Sequence, residues 1–291
     1  VRDGMLVPDA GAGAGLPLDG FFALNPNLPT LGALYRRGEA VIVHAAATPY
    51  RERSHFDGQD VLETGLAGPG RSTGWLNRAL GLLPVAGRVE SRAVSLAPSA
   101  PVVLQGLAPI IGWIPPGFAP ASDAAVARLI DICRHSDPEL AMALEGGIEA
   151  DVVLGGEAAF ARSVGQVAEA GNVPQRYRDI LETAEAAARF LSGPTGPRIG
   201  VLEIQGWDTH AAEGVVEGRL AQNLRALDLV FARLEAGLAP VWKDTVIVAA
   251  TEFGRTVRIN GSQGTDHGTA TTAFLAGGAV RGGRVIADWP G

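Results

Sequence analysis

A short polar segment, Gly206–His210, contains two side chains that are well suited to bind a metal ion. Asp208 and His210 stand two residues apart and follow the apolar run 199–205. Carboxylate oxygens and imidazole nitrogens are ligands of zinc and manganese. Extended side chains repeat with period 2, so the spacing predicts that both residues face one side at the end of a strand.

An alternative interpretation gives Asp208 and His210 structural roles. Asp208 would cap the long helix predicted downstream, and His210 would form a surface hydrogen bond. A helix cap would explain Asp208 but would give no function to His210. The spacing therefore favours metal binding.

A second polar segment begins at Thr251, directly after the apolar run 245–250. The run predicts a buried strand that delivers the Glu252 carboxylate to its carboxyl end, where it serves as a metal ligand or general base. The alternative is a structural ion pair between Glu252 and Arg255. Arg255 also suits a second role, because its planar guanidinium matches phosphate or sulfate oxygens.

The third polar segment, Gly264–Gly268, places Asp266 and His267 between two glycines. Adjacent residues of a strand face opposite sides, so we expect one of them to bind the metal and the other to support it. His267 is the preferred ligand, and the glycines allow close approach of a ligand. The alternative is a turn in which Asp266 accepts hydrogen bonds from backbone amides.

Ser54 stands where a helix is predicted to begin, and Arg51 and Arg53 precede it. A helix N-terminus favours anions, so this hydroxyl is a candidate nucleophile towards a phosphorus or sulfur centre. We expect His55 to accompany it. The alternative is a capping arrangement in which Ser54 pairs with Asp57, three residues later.

Composition narrows the class of protein. The chain has 291 residues, of which 47% are hydrophobic, enough for one α/β domain spanning 1–291. A net charge of -7 with scattered Lys and Arg argues against a nucleic-acid partner. Cys133 is the one cysteine, which excludes thiolate-rich zinc sites and leaves oxygen and nitrogen ligands for Zn, Mn, Mg or Ca. No apolar run reaches the roughly 18 residues of a membrane span.

Apolar periodicity predicts alternating strands and helices, and hence an α/β fold with a mostly parallel sheet flanked by helices. We expect a helical insertion at about 123–192 and a chain that is truncated at both ends. The predicted strands are 40–45, 93–96, 198–205, 245–250 and 271–276, and the predicted helices are 30–37, one starting at Ser54, one near 75–80 and one at 214–238.

Together these segments resemble the bacterial DUF1501 family, which is grouped with the alkaline phosphatase and sulfatase superfamily and whose members often carry a twin-arginine export signal. The resemblance covers nearly the whole chain and is carried by Tyr50–Asp57, Gly206–His210, Thr251–Thr256 and Gly264–Gly268. It implies an alkaline phosphatase-like fold. It also implies a nucleophile at Ser54 and metal ligands at Asp3, Asp208, His210, Glu252 and His267.

The function that this resemblance implies is hydrolysis of phosphate or sulfate esters of small molecules or glycans, with one or two divalent cations. The expected location is the periplasm or the cell exterior. Phosphatases place Asp-His where this chain has Glu252 and Phe253, which leaves a two-metal site one imidazole short. That difference favours the alternative, a non-catalytic exported scaffold that binds a glycan or a protein. The carboxylates and His267 favour the enzyme.

Overall fold

The computed structural model describes residues 7–70, 73–83, 92–97, 99–113, 123–145 except 139 and 143, and 175–288. Asp3 and residues 146–174 of the predicted helical insertion lie outside these residues. The chain divides into two compact units. The first unit comprises Val1–Arg71 and Ile204–Gly291, and the second comprises Ser72–Glu203.

The first unit contains a four-stranded sheet made of β3 (Ala40–Ala46), β7 (Ile247–Ala249), β10 (Thr271–Ala276) and β11 (Arg284–Ile286). The spatial order of the strands is β11, β3, β10, β7. Strand β10 runs antiparallel to β3 and β7, and β11 runs parallel to β3. The sheet is therefore mixed, and the prediction of a mostly parallel sheet was wrong.

The connection from β7 to β10 explains this difference. Parallel neighbours need a crossover of a dozen or more residues, usually a helix. Here the connection contains a hairpin, β8 (Arg255–Ile259) with β9 (Thr265–His267), whose strands are antiparallel. The chain turns back in this hairpin and enters β10 in the direction opposite to β7.

Two helices cover one face of the sheet: α1 (Pro29–Arg36) and α6 (Arg219–Gly237). Their apolar residues form the core of this unit, in which Leu31 and Leu34 are fully buried and Phe231 is 1% exposed. Strands β1 (Leu16–Pro17) and β2 (Ala23–Leu24) form a short antiparallel pair whose residues Leu16 and Leu24 join this core.

Helix α2 (His55–Thr64) follows β3 and matches the predicted helix start at Ser54. Gly65 has a φ of 67° and ends the helix, because a left-handed residue cannot continue it. Val61 of α2 packs with Tyr50 and Phe253 in a small core of their own. This core anchors the start of α2 next to the loop that follows β7.

The second unit contains a parallel sheet in which β4 (Ala93–Leu96) lies between β5 (Ile111–Gly112) and β6 (Ile199–Leu202). Its helices are α3 (Trp75–Leu82), α4 (Asp123–Ser136) and α5 (Gln175–Ser192), and α5 packs on β4 and β6. Helices α4 and α5 stand at the two ends of the predicted helical insertion. Two short 3₁₀ helices complete the described elements, Val102–Leu104 in this unit and Ala239–Asp244 in the first.

Across the described ranges, no helix is both long enough and apolar enough to cross a membrane.

Candidate metal centre

Four segments of the first unit bring charged and imidazole side chains to one place. Helix α2 supplies His55 as its first residue, and strand β9 supplies Asp266 and His267. The loop after β6 supplies Asp208 and His210, and the loop after β7 supplies Glu252. These loops leave the carboxyl ends of their strands, where α/β folds commonly place their ligands.

Three imidazoles point their Nε2 atoms towards the Asp208 carboxylate. The Nε2 atom of His267 lies 3.1 Å from His55 Nε2, 3.0 Å from His210 Nε2 and 3.1 Å from Asp208 Oδ1. His210 Nε2 lies 2.9 Å from Asp208 Oδ1, and His55 Nε2 lies 3.5 Å from Asp208 Oδ2. We call these four residues the central cluster.

The other ring nitrogen of each histidine meets an oxygen outside the central cluster. His55 Nδ1 lies 2.6 Å from Glu252 Oε1, and His210 Nδ1 lies 3.3 Å from Asp266 Oδ1. His267 Nδ1 lies 2.9 Å from the main-chain oxygen of Arg53. Histidines that bind metals almost always donate their second ring N–H to such an oxygen.

This pattern determines which nitrogens are free to bind a cation. A main-chain oxygen can only accept, so His267 donates its proton from Nδ1. The Nε2 atom of the neutral ring then presents a lone pair to the neighbouring Nε2 atoms. Lone pairs at 3.0–3.1 Å repel one another unless a cation, either a metal ion or a shared proton, lies among them.

The donor spacing matches a small tetrahedral metal site. A tetrahedral zinc with metal–nitrogen distances of ~2.0–2.1 Å separates its ligand atoms by about 3.3 Å. Neighbouring donor atoms of the central cluster are 2.9–3.5 Å apart. His55, Asp208 and His267 offer ligand atoms that all lie within 4.8 Å of one another. These three residues therefore fit a single divalent cation, and His210 Nε2 lies 3.0 Å from His267 Nε2 and 2.9 Å from Asp208 Oδ1.

Arg255 donates hydrogen bonds to Asp208 Oδ1 and to the main-chain oxygen of Thr265. Burial acts to raise the pKa of Asp208, but opposing interactions, led by the hydrogen bond from Arg255, outweigh it. The Asp208 pKa lies below its ordinary value as a result. Asp208 is therefore held as a carboxylate, the form that binds cations.

The Asp266 carboxylate contacts Nδ1 of His210 and also accepts a hydrogen bond from Asn260. Asn260 donates from Nδ2 to Asp266 Oδ1 at 3.0 Å and to the main-chain oxygen of His210 at 2.9 Å. The hydrogen bond from Asn260 lowers the pKa of Asp266, and the bond and charge of His210 lower it further. Asp266 thus supports His210, and His267, its neighbour in sequence, faces the central cluster.

A buried aromatic ring lies against two of the imidazoles. The ring centroid of Phe253 is 4.8 Å from that of His55 and 5.1 Å from that of His267. Phe253 is 7% exposed, so its position is set by packing. Phe253 therefore packs against two of the three imidazoles of the central cluster.

The structure gives each predicted site residue within the described ranges a definite place. Asp208, His210 and His267 meet in the central cluster, and Glu252 and Asp266 contact it through His55 and His210. Arg255 has Asp208 as its ionic partner, whereas Glu252 pairs with His55, so the alternative pairing of Glu252 with Arg255 is not the one formed.

The capping alternatives also have clear outcomes. Helix α6 begins after Gly218 without a side-chain cap, so Asp208 does not cap it. Ser54 is the N-cap residue of α2, but its hydroxyl makes no capping hydrogen bond. Within the residues that the structure describes, this hydroxyl has no hydrogen-bond partner. The Ser54 hydroxyl is therefore available to another molecule.

The arginines near Ser54 differ in their contacts. Arg51 donates to the main-chain oxygens of Thr48 and Tyr50. The exposed guanidinium of Arg53 makes no hydrogen bond or ion pair with any residue in the described ranges. Its backbone has a φ of 61°, a conformation that non-glycine residues rarely adopt. This conformation accompanies the contact between the Arg53 oxygen and His267.

Sequence reasoning gave His55 only a companion role beside Ser54 and missed Asn260, Thr265 and Glu213 altogether. His55 follows a candidate N-cap, and this signal could have placed it at the same helix end as Ser54. No sequence pattern indicated a role for Glu213, which follows two alanines, Ala211 and Ala212.

Comparisons with known proteins identify one family. The family described as "Protein of unknown function (DUF1501)" matches residues 7–291. No curated protein and no solved structure matches the chain.

Proposed function

The chain belongs to the DUF1501 family, and on that premise we propose that it is a metal-dependent hydrolase of phosphate or sulfate esters. The proposal includes an alkaline phosphatase-like scaffold and export to the periplasm or the cell exterior. The convergence of three imidazole Nε2 atoms on the Asp208 carboxylate is the observation that carries it.

The donor set favours one cation of the zinc type. Three nitrogens and one carboxylate suit Zn²⁺, whereas Mg²⁺ and Ca²⁺ prefer sites made of oxygen. Glu252 and Asp266 are engaged with His55 and His210, so neither carboxylate is free for a second cation in the arrangement described. We therefore propose a single-metal centre held by His55, Asp208, His210 and His267.

The bound cation would polarise an ester oxygen and offset the negative charge that develops there. The residues around it suit an anionic substrate. Ser54 opens α2, and the first amides of a helix have no partners within it, so they are available to an oxyanion. We assign Ser54 as the nucleophile or as the group that positions it.

Among the arginines, Arg53 is best placed to bind the anionic group. The guanidinium groups of Arg51 and Arg255 are engaged with protein oxygens. Arg53 immediately precedes Ser54, and its main-chain oxygen contacts a ligand histidine. The planar guanidinium can bind two oxygens of a phosphate or sulfate group.

The experiment that tests this function compares three proteins purified without chelator: the wild type, His210→Ala and Lys243→Ala. Lys243 is an exposed residue of the 3₁₀ helix Ala239–Asp244 and makes no contact with the central cluster, so it serves as the control. We expect about one equivalent of zinc-type metal in the wild type and in the control, with turnover of aryl phosphate or sulfate esters. The His210→Ala protein should lose both.

Wild-type protein without bound metal would overturn the proposal. Metal retained with no turnover of any ester would instead support the non-catalytic scaffold.

A further inference from the structure

Glu213 is a buried carboxylate that lies outside the central cluster and is 2% exposed. A buried carboxylate requires a strong partner, because an unpaired charge in the interior is strongly destabilising. Its Oε2 atom accepts a hydrogen bond of 2.6 Å from the hydroxyl of Thr265, a residue with no exposed surface. This pair is the start of a chain of contacts that reaches Asp208.

The direction of the Thr265 hydroxyl follows from Glu213. The Thr265 hydroxyl donates to Glu213 Oε2, so the Thr265 proton points to Glu213. The lone pairs of the hydroxyl are then free, and one accepts the Nε–H of Arg255 at 3.1 Å. Without Glu213, nothing in this contact would hold the hydroxyl in the orientation that accepts from Arg255.

Thr265 holds Arg255 at two points. Its hydroxyl accepts from Nε, and its main-chain oxygen accepts from a terminal nitrogen of the guanidinium. The remaining terminal nitrogen donates to Asp208 Oδ1. Because the guanidinium is planar, fixing two of its nitrogens also fixes the third. Oδ1 of Asp208 is also the oxygen nearest to His210 Nε2 and His267 Nε2.

We propose that Glu213 is a positioning residue that orients the Asp208 carboxylate through Thr265 and Arg255, and so sets the metal affinity of the central cluster. This inference rests on the proposed metal function. The hydrogen bond of the Glu213 carboxylate goes to Thr265 and not to a residue of the central cluster. Its influence passes through two hydrogen bonds and one ion pair.

The test is a Co²⁺ titration of the full chain, followed by the visible absorption bands of the bound ion. The variants are Glu213→Leu, Thr265→Val and the two combined. Thr265→Ser keeps the hydroxyl and is the conservative control. Asp228→Asn replaces another buried carboxylate of the same unit, 3% exposed, which bonds the amides of Thr30 and Leu31.

Groups that support metal ligands typically change metal affinity by about 10–100-fold when they are removed. We expect Thr265→Val and Glu213→Leu each to weaken Co²⁺ binding by about tenfold or more and to shift its absorption bands. Thr265→Ser and Asp228→Asn should bind as the wild type does. Because Glu213 acts through Thr265, adding Glu213→Leu to Thr265→Val should cause no further loss.

The double variant should fold even if a single variant does not, because replacing both partners of a buried hydrogen bond by apolar groups is close to neutral for stability. Wild-type affinity and bands in the double variant would overturn the positioning role while leaving the metal centre in place. A wild-type protein that gives no Co²⁺ spectrum would overturn the proposed function itself. The two failures are therefore distinguishable.

Discussion

The Nδ1 atom of His267 lies 2.9 Å from the main-chain oxygen of Arg53, whose φ is 61°. Left-handed backbone at a non-glycine residue is disfavoured by about 1–2 kcal/mol. Such a conformation persists where the surrounding structure determines it, and it concentrates at functional sites. Here it accompanies an oxygen that holds the proton of His267 on Nδ1 and leaves Nε2 free.

Arg53 should therefore contribute separately through its backbone and its side chain. Arg53→Asn keeps a residue that tolerates positive φ but removes the guanidinium. We expect metal affinity close to that of the wild type and a KM for an anionic ester raised about tenfold, the order expected when a hydrogen bond to a charged group is lost. Metal titration and steady-state kinetics measure the two effects.

Two further variants separate the effect of the Arg53 backbone from the effect of its guanidinium. Arg53→Val disfavours positive φ, so it should weaken metal binding as well. Arg51→Met removes a guanidinium that bonds main-chain oxygens, and its KM should stay near the wild-type value. Equal KM values for Arg53→Asn and the wild type would exclude Arg53 from substrate binding.

Glu252 should support the metal centre through His55. Its carboxylate accepts from His55 Nδ1 at 2.6 Å and from the Thr251 hydroxyl, and its side chain is 11% exposed. Replacing Glu252 by Gln removes the negative charge that makes the imidazole a stronger ligand. We expect metal affinity to fall by about 10–100-fold without loss of the fold, measured by competition with a chelator and by circular dichroism.

A matched control is Glu235→Gln, since Glu235 forms an ion pair with Arg37 at the surface. Surface ion pairs contribute about 0–1 kcal/mol, so metal affinity should not change in that variant. If Glu252→Gln also kept its full affinity, the interaction of Glu252 with His55 would be structural only.

The sequence predicted most elements of the fold because their apolar patterns are local. Strand 93–96 matches its predicted bounds, and strand 271–276 does as well. The long helix starts at Arg219, not at 214, because Gly214 and Gly218 adopt φ values of 61° and 118°. Such loop conformations depend on contacts that a periodic pattern does not contain.

The candidate ligands were predictable because Asp208 and His210 follow an apolar run and His267 lies in a short polar segment between two glycines. Asp208 and His210 were predicted to lie at the end of a strand, but β6 ends at Leu202 and both residues lie in the loop beyond it. Whether these ligands come together in space depends on contacts between segments that are far apart in the sequence. His55, Glu252 and Arg53 acquire their roles from rings and oxygens that lie about 200 residues away in sequence, which residue types alone do not reveal.

Asp228 should make stability depend on pH. Burial raises the pKa of Asp228, and hydrogen bonds from Leu31 and Thr30 offset this only in part. A raised folded-state pKa means that the folded protein holds this proton more tightly than the unfolded chain does. The stabilising contribution is present below the ordinary aspartate pKa of about 4 and is lost as pH rises through the folded-state value.

The measurement is urea unfolding of the wild type and Asp228→Asn at several pH values from about 3.5 to 7. The free energy of unfolding of the wild type, taken relative to the variant, should decrease as pH rises above about 4. If the wild type instead became more stable relative to Asp228→Asn as pH rose, the hydrogen bonds from the main-chain amides of α1 would lower the Asp228 pKa more than burial raises it. The side chain would then act as an ordinary ionised helix cap.

Gly264 should be essential to the alignment of the loop that carries Asp208 and His210 with the β8–β9 hairpin that carries His267. Main-chain bonds join these loops, from Ala212 to Ser262, from Glu213 to Gln263 and from Thr265 to Thr209. A Cβ atom at position 264 would overlap with the main-chain carbon and oxygen of His210. Backbone atoms cannot rotate away, so Gly264→Ala must separate the loops.

Overpacking of this kind typically costs about 1–3 kcal/mol in stability. We expect Gly264→Ala to lose that amount in urea unfolding and to lose metal affinity, because His210 moves away from Asp266 and His267. Gly261→Ala is the matched control, since a Cβ atom there has no neighbour within 4 Å. If Gly264→Ala matched this control in both stability and metal binding, the close contact at His210 would not be what aligns the ligands.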